Sequence, residues 1–307
     1  MSGGLMPAAV SGILLAASRE WWEGMALLAA VTFVAGAINS VAGGGTILTF
    51  PLLALLLPPL PSSDVTANAT STLGLWPGAL AAAWASRGHR DGLPEWTRGL
   101  LAVSVAGAVA GTLLVLLLPP AWFSRAVPWL ILSAAILFSL QPRLAALGLG
   151  ARPDASPTST TVVVARVLQF LVALYGGYFG AGIGILMLAV LGCLGLGDIH
   201  RLNAVKNVMA TTVNGTTATV FLLAACLPAG LVSGPWGGTV GPGLVSWPHV
   251  ATMAVAAAAG GLVGVRLSSR LPARIVRRVV ALIGFGLAGY HLLPQLSRML
   301  GPILFRA

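Results

Sequence analysis

Two glycine clusters carry the chemistry this chain is equipped for. Gly43-Gly44-Gly45 and Gly180-Ala181-Gly182-Ile183-Gly184 each interrupt a long apolar stretch, and polar side chains gather beside them. Asn39, Ser40 and Thr46 flank the first cluster, Asn68, Thr70 and Ser71 open the following helix, and Lys206, Asn207 and Asn214 hold the corresponding place in the second half. A helix that begins at such a break offers unpaired backbone N–H groups and about half a positive charge, and the missing side chains let a ligand approach the main chain. Amide donors, hydroxyls and one ammonium suit a small anion. The residues expected to contact it are Gly43, Gly44, Gly45, Gly182 and Gly184 with Asn39, Thr46, Asn68, Thr70, Ser71, Lys206, Asn207 and Asn214. Lys206 is the one lysine among 17 basic residues. It either meets the anion as a point charge or snorkels at a helix end. The asparagines and threonines have a second reading as hydrogen bonds between helices.

Catalytic constellations do not emerge from the sequence. It has no His-Glu-x-x-His for zinc and no Gly-x-Ser-x-Gly for a nucleophile. Asp64, Asp91, Asp154 and Asp198 fall at helix ends or in loops, so no carboxylate pair is expected for acid–base work. Gly180-x-Gly182 lacks the strand–helix alternation of a dinucleotide loop. Cys193 and Cys226 lie in apolar stretches and read as filler. No catalytic residue, metal or cofactor is expected.

The elements that position the glycine clusters follow from composition. Of 307 residues 57% are hydrophobic and only 8% charged, with mean hydropathy +0.93, which excludes a soluble globular protein. Lipid must be the solvent for most of the surface. The net charge of +10 is spread as isolated arginines between apolar runs, so it speaks for membrane orientation and against a nucleic-acid partner. Residues 24–63 contain no Asp, Glu, Lys or Arg, a run about twice the roughly 20 residues that cross a bilayer, so it must hold two segments split at the glycines. Helices are predicted near 25–42, 45–57, 65–86, 99–118 and 121–140, then near 161–180, 184–196, 204–226, 249–265 and 279–296. The short glycine-led segments either span or re-enter.

The two halves repeat at nearly constant offsets. Gly43 and Gly45 match Gly182 and Gly184 at 139, Ala67, Gly78 and Ala81 match Ala204, Gly215 and Ala218 at 137, and Gly107, Gly111 and Pro119 match Gly260, Gly264 and Pro272 at 153. Five segments per half force opposite orientations. Placing the loop 87–98 in the cytoplasm then puts 13 of the 17 Lys and Arg residues on that side, as the positive-inside bias requires. The predicted fold is therefore an all-α polytopic membrane protein of two inverted five-segment repeats, with eight to ten spanning helices, some broken at glycine. Its divisions are an interfacial N-terminal segment at 1–24, repeats at 25–140 and 161–296, a cytoplasmic linker at 141–160 and a tail at 297–307.

Inverted repeats with glycine-broken helices are the pattern of secondary transporters that bind substrate near the midplane. The chain carries Ala42-Gly-Gly-Gly-Thr-Ile-Leu-Thr-Phe-Pro-Leu-Leu, Val65-Thr-Ala-Asn-Ala-Thr-Ser and Pro77-Gly-Ala-Leu, then Gly180-Ala-Gly-Ile-Gly and Asn203-Ala-Val-Lys-Asn. In these motifs it resembles the TauE/SafE sulfite-exporter family over about 25–296. The resemblance implies alternating-access transport of small sulfur-containing anions, sulfite or organosulfonates, across a bacterial inner membrane. The chain departs from it with Val190 where the first half has Pro51, and in its long 228–248 loop. An anion channel or a scaffold without turnover is the alternative, and a homodimer is left open. The partners expected are the small anion and the lipid bilayer.

Overall fold

The computed structural model describes residues 8–41, 44–85, 95–147, 158–194, 199–228, 239–267, 278–290 and 292. All regular structure among them is helical. The first half contains α1 (Ala8–Val41), α2 (Thr46–Leu56), α3 (Ser63–Ala85), α4 (Trp96–Leu117) and α5 (Pro120–Leu147). The second contains α6 (Ser159–Tyr178), α7 (Ile183–Cys193), α8 (Ile199–Cys226), a short 3-10 turn at Pro242–Leu244, α9 (Trp247–Leu267) and α10 (Arg278–Tyr290). Gly43 and the tail 297–307 lie outside the described residues.

Local sequence explains where these helices begin and end. Thr158 caps α6 with a side-chain oxygen that accepts from the Thr161 amide at 3.2 Å. Pro120 opens α5, where its missing N–H costs nothing. The prolines Pro58 and Pro59 follow α2, whose last cap, Leu57, is already extended. Two boundaries differ from the sequence expectation. Helix α1 continues backwards from residue 25 to Ala8 without a break, and α5 runs to Leu147 into the stretch read as a linker.

Six helices are long and apolar enough to cross a membrane: Arg19–Ser40, Trp96–Leu117, Pro120–Leu140, Ser159–Tyr178, Ala204–Cys226 and Trp247–Arg266. Helices α2, α7 and α10 are too short to join them. Helix α3 has the length, at 23 residues, but Thr66, Asn68, Thr70, Ser71 and Thr72 crowd its first half. The expectation of eight to ten spans counts these shorter and more polar helices.

Glycine sets how closely the long helices pack. A Cβ built on Gly107 would lie 2.9 Å from the Ala173 Cβ, and one on Gly111 would overlap the Leu174 carbonyl, so α4 and α6 touch backbone to backbone. Gly260 stands in the same relation to the Phe33 carbonyl, and Gly264 to Ala37, which joins α9 to α1. Helices without intervening side chains gain dispersion contacts that lipid does not supply. Gln169 strengthens the α4–α6 seam by donating to the Ser104 hydroxyl at 2.8 Å.

The segment 239–246 identifies one end of the bundle. Its Thr239 amide donates to Leu116 O at the close of α4, Gly241 to Ala224 O near the close of α8, and Ser246 to Thr70 Oγ1 in the first turns of α3. Leu244 and Val245 are buried among these helix ends. This strap therefore marks the end at which α4 and α8 finish and α3 and α9 start. Helix α1 runs parallel to α9, since Phe33 and Ala37 meet Gly260 and Gly264 in order. Helix α6 runs parallel to α4 by the same reasoning, so α1 and α6 are antiparallel. Each is followed by a short helix that folds back on it: Gly45 rests against Ala35 and Gly24 against Leu56 in one hairpin, and Gly176 against Ile183 in the other.

Gly111→Leu should separate α4 from α6 and cost about 1–3 kcal/mol, the usual scale for forcing bulk into a filled interface. Gly289→Ala, where a Cβ would meet nothing within 4 Å, should leave stability unchanged or slightly raised. Thermal unfolding of the purified variants in detergent checks both.

Candidate functional site

The two glycine breaks meet inside the bundle. Gly44 has φ +125° and Gly182 φ +77°, conformations that side chains oppose, and each immediately precedes the first turn of its short helix. A Cβ built on Gly44 would lie 3.3 Å from the amide nitrogen of Gly182. One hairpin enters from the strap end and the other from the opposite end, so the N-termini of α2 and α7 come together. Neither N-terminus is capped by a side chain. Ile47, Leu48 and Ile185 turn their N–H groups onto the carbonyls of Gly44, Gly45 and Gly182, and the amides ahead of them gather at one junction with the positive ends of both helix dipoles.

Asn39 holds the first break in shape. Its Oδ1 accepts from the Gly44 amide at 3.0 Å, which satisfies one donor and leaves the Nδ2 group free to serve elsewhere. On the second break the Tyr175 hydroxyl donates to Ala181 O at 2.8 Å, and Asn68 Nδ2 donates to Tyr178 O at 3.1 Å. Asn68 thus ties α3 to the α6–α7 hairpin. Its own Oδ1 is buried without a hydrogen-bond partner.

Beside the junction lies a narrow cleft, lined by Asn39, Ser40, Gly184, Lys206, Asn207, Thr211 and Asn214 among small alanines of α3. Lys206, Asn207, Ala210, Thr211 and Asn214 recur at helical spacing on one face of α8, which is why one helix supplies most of the polar wall. Lys206 is only 2% exposed, and among the described residues no carboxylate pairs with it. The ion pair found among the described residues, Arg19 with Glu23 at 2.9 Å, lies far away in the first turns of the span of α1. A buried ammonium without a counter-charge creates a strongly positive site in low dielectric. The cleft lies towards the end where α3 finishes and α8 begins, opposite the strap.

Towards the strap the junction is closed. Phe50, Phe123, Tyr178 and Phe179 pack edge to face or tilted, with centroids 5.2 Å apart for Phe50 and Phe179 and 5.4 Å for Phe123 and Tyr178. Thr49 and Ser71 share a 2.7 Å hydrogen bond between α2 and α3 on this side, and Thr70 accepts from the strap.

The sequence candidates therefore divide by place. Asn39, Gly184, Lys206, Asn207 and Asn214 share the cleft wall, and Gly44, Gly45, Gly182 and Thr46 form the junction behind it. Asn68, Thr70 and Ser71 are buried on the strap side, each hydrogen-bonded to another element. Thr211 was missed as a candidate, although its position four residues after Asn207 and three before Asn214 places it on the same helical face. Phe138 was missed as well. It is fully buried on α5, and its Cε2 lies 2.6 Å from where a Gly44 Cβ would stand. No motif announces it.

Residues 28–291 match the family described as sulfite exporter TauE/SafE. A Sinorhizobium protein described as "Probable membrane transporter protein ORF9" is 28% identical over 267 residues, covering 86% of this chain and 90% of its own length. A "Probable membrane transporter protein" of Haemophilus influenzae is 31% identical over 201 residues, covering 65% and 74%. No solved structure matches the chain at a significant level.

Asn39→Leu should unmake the Gly44 cap and lower stability by about 1–3 kcal/mol, the range for stranding a buried donor, whereas Asn39→Asp keeps an acceptor and should lose less. Thermal unfolding of the two variants side by side is the check.

Proposed function

The chain belongs to the sulfite exporter TauE/SafE family and is a multi-pass membrane transporter, and on that footing we propose that it carries small sulfur-containing anions, sulfite or organosulfonates, by alternating access. The observation that carries the reading is the meeting of Gly44 and Gly182 beside a buried Lys206 that no carboxylate pairs with among the described residues. Uncapped helix ends supply oriented N–H donors, and the ammonium supplies a full charge. Asn207 and Asn214 add amides that can turn to fit oxygen acceptors. A sulfonate or sulfite group, with several acceptor oxygens around one sulfur, suits such convergent donors. Gly43, which precedes the junction in sequence, belongs to the proposed site with Gly44, Gly45, Thr46, Gly182 and Gly184. Asn68, Thr70 and Ser71 enter it on the strap side when that side opens.

The alternating-access part rests on two supports. First, the helix contacts exchange between halves: α1 packs on α9 as α6 packs on α4, and α3 on α9 as α8 on α4. The contacts keep register too, because Phe33 and Phe170, like Ala37 and Leu174, are 137 positions apart, while their glycine partners are 153 apart. Two copies of one unit in opposite orientation would give this pattern, and such pairs can swap conformations to open a central site to either face. Second, the site is open towards one end and packed with aromatics towards the other. With the 13 to 4 distribution of Lys and Arg, the open end is the cytoplasmic one and the membrane is the bacterial inner membrane.

A channel would need a path through Phe50, Phe123 and Phe179, which the present packing closes. Purified protein should be stabilised by at least one of sulfite, thiosulfate, sulfoacetate, taurine or sulfate, by about 2.7 kcal/mol at 100 times the dissociation constant. Lys206→Ala should weaken that binding at least tenfold, about 1.4 kcal/mol, without unfolding the protein. A thermal-shift screen followed by saturation and competition of flux in proteoliposomes tests the reading. Unsaturable flux, or affinity unchanged in Lys206→Ala, overturns it.

A further inference from the structure

We infer that Phe138 limits how deep a substrate can seat, and so selects among anions by size. The inference rests on the anion-site reading above. Phe138 lies on α5, outside both hairpins and outside the polar cleft wall, and no part of it is exposed. Its ring edge nonetheless touches both breaks. Cε2 is 2.6 Å from the position of a Gly44 Cβ and 3.8 Å from that of a Gly182 Cβ. The ring therefore occupies the space that an absent Gly44 side chain leaves, and it stands within van der Waals reach of the Gly182 position.

A series of contacts links the cleft to the ring. The cleft wall reaches Asn39 and Gly184, Asn39 is hydrogen-bonded to Gly44, Gly182 and Gly184 flank Ile183, and Phe138 stands against Gly44 and Gly182. An anion drawn along the cleft towards the amides of the junction meets the Phe138 ring as its end wall. A rigid aromatic that cannot shorten itself is a sharper limit than an alkyl chain with free rotors. The edge presented to the glycines is also the electropositive part of the ring, so it tolerates an anionic group while refusing the extra carbon of a longer one. Gly44 is then required twice, for its backbone angle and because a methyl there would overlap the ring, whereas Gly182 is required for its backbone angle.

Dissociation constants for sulfite and sulfoacetate, measured by thermal shift and calorimetry on the purified full chain, test this through their ratio. In Phe138→Ala the ratio should move at least tenfold in favour of sulfoacetate, in Phe138→Leu about threefold, and in Phe138→Trp in the opposite direction. A ratio unchanged within twofold in any folded variant that still binds sulfite overturns the inference while leaving the anion site standing. Failure of the unmodified protein to bind sulfite or sulfoacetate overturns the inference, and failure to bind thiosulfate, taurine and sulfate as well overturns the anion site with it, so the control tells the two outcomes apart. Should Phe138→Ala not fold, the Leu and Trp variants decide the matter by the same ratio.

Discussion

A backbone amide inside a bilayer must be paired, and this chain breaks its helices inside the bundle twice. Each unpaired group left in hydrocarbon costs several kcal/mol, so non-helical backbone survives only against protein or in a wet cavity. Most of the architecture follows from that demand. The breaks at Gly44 and Gly182 are brought against one another, Asn39 and Tyr175 cover individual backbone groups, and helices α3, α5 and α8 wall the junction. The long helices that surround it lose their side chains at Gly107, Gly111, Gly260 and Gly264, because a close scaffold keeps lipid away from the exposed amides.

Much of this was legible in the sequence, for local reasons. Apolar runs of fixed length, prolines at 58, 59, 119 and 120 and glycine clusters are signals a chain cannot hide, and they placed most helix ends closely, the start of α1 and the end of α5 excepted. Spacing on α8 likewise put Lys206, Asn207 and Asn214 on one face. What escaped depended on distant partners. Asn68 meets Tyr178 across 110 positions and Ser246 meets Thr70 across 176, and neither residue type foretells its mate. Phe138 looks like any other apolar residue on α5. Only the missing side chains of two remote glycines give it a special place. The backward extension of α1 to Ala8 was hidden by Arg19, Glu20 and Glu23, which interrupt the apolar pattern while helix continues, and the Arg19–Glu23 pair sits at the helical i, i+4 spacing.

The two ends of the bundle are chemically unlike although their helices are related in sequence. At the strap end, hydrogen bonds and edge-to-face rings join α2, α3, α6 and the 239–246 segment. At the other end α3 contributes Ala79, Ala82 and Ala83, and small residues leave the cleft its volume. The strap at 239–246 belongs to the long 228–248 loop of the second half, so what closes this end is supplied by one half of the chain.

Lys206 has a further consequence that is electrical. With no carboxylate paired to it among the described residues, a protonated Lys206 gives the cleft one net positive charge. A membrane voltage does work on such a charge, at about 2.3 kcal/mol per elementary charge for 100 mV across the full thickness. Polarisation of the membrane would then bias any rearrangement that carries α8 and its ammonium through the field.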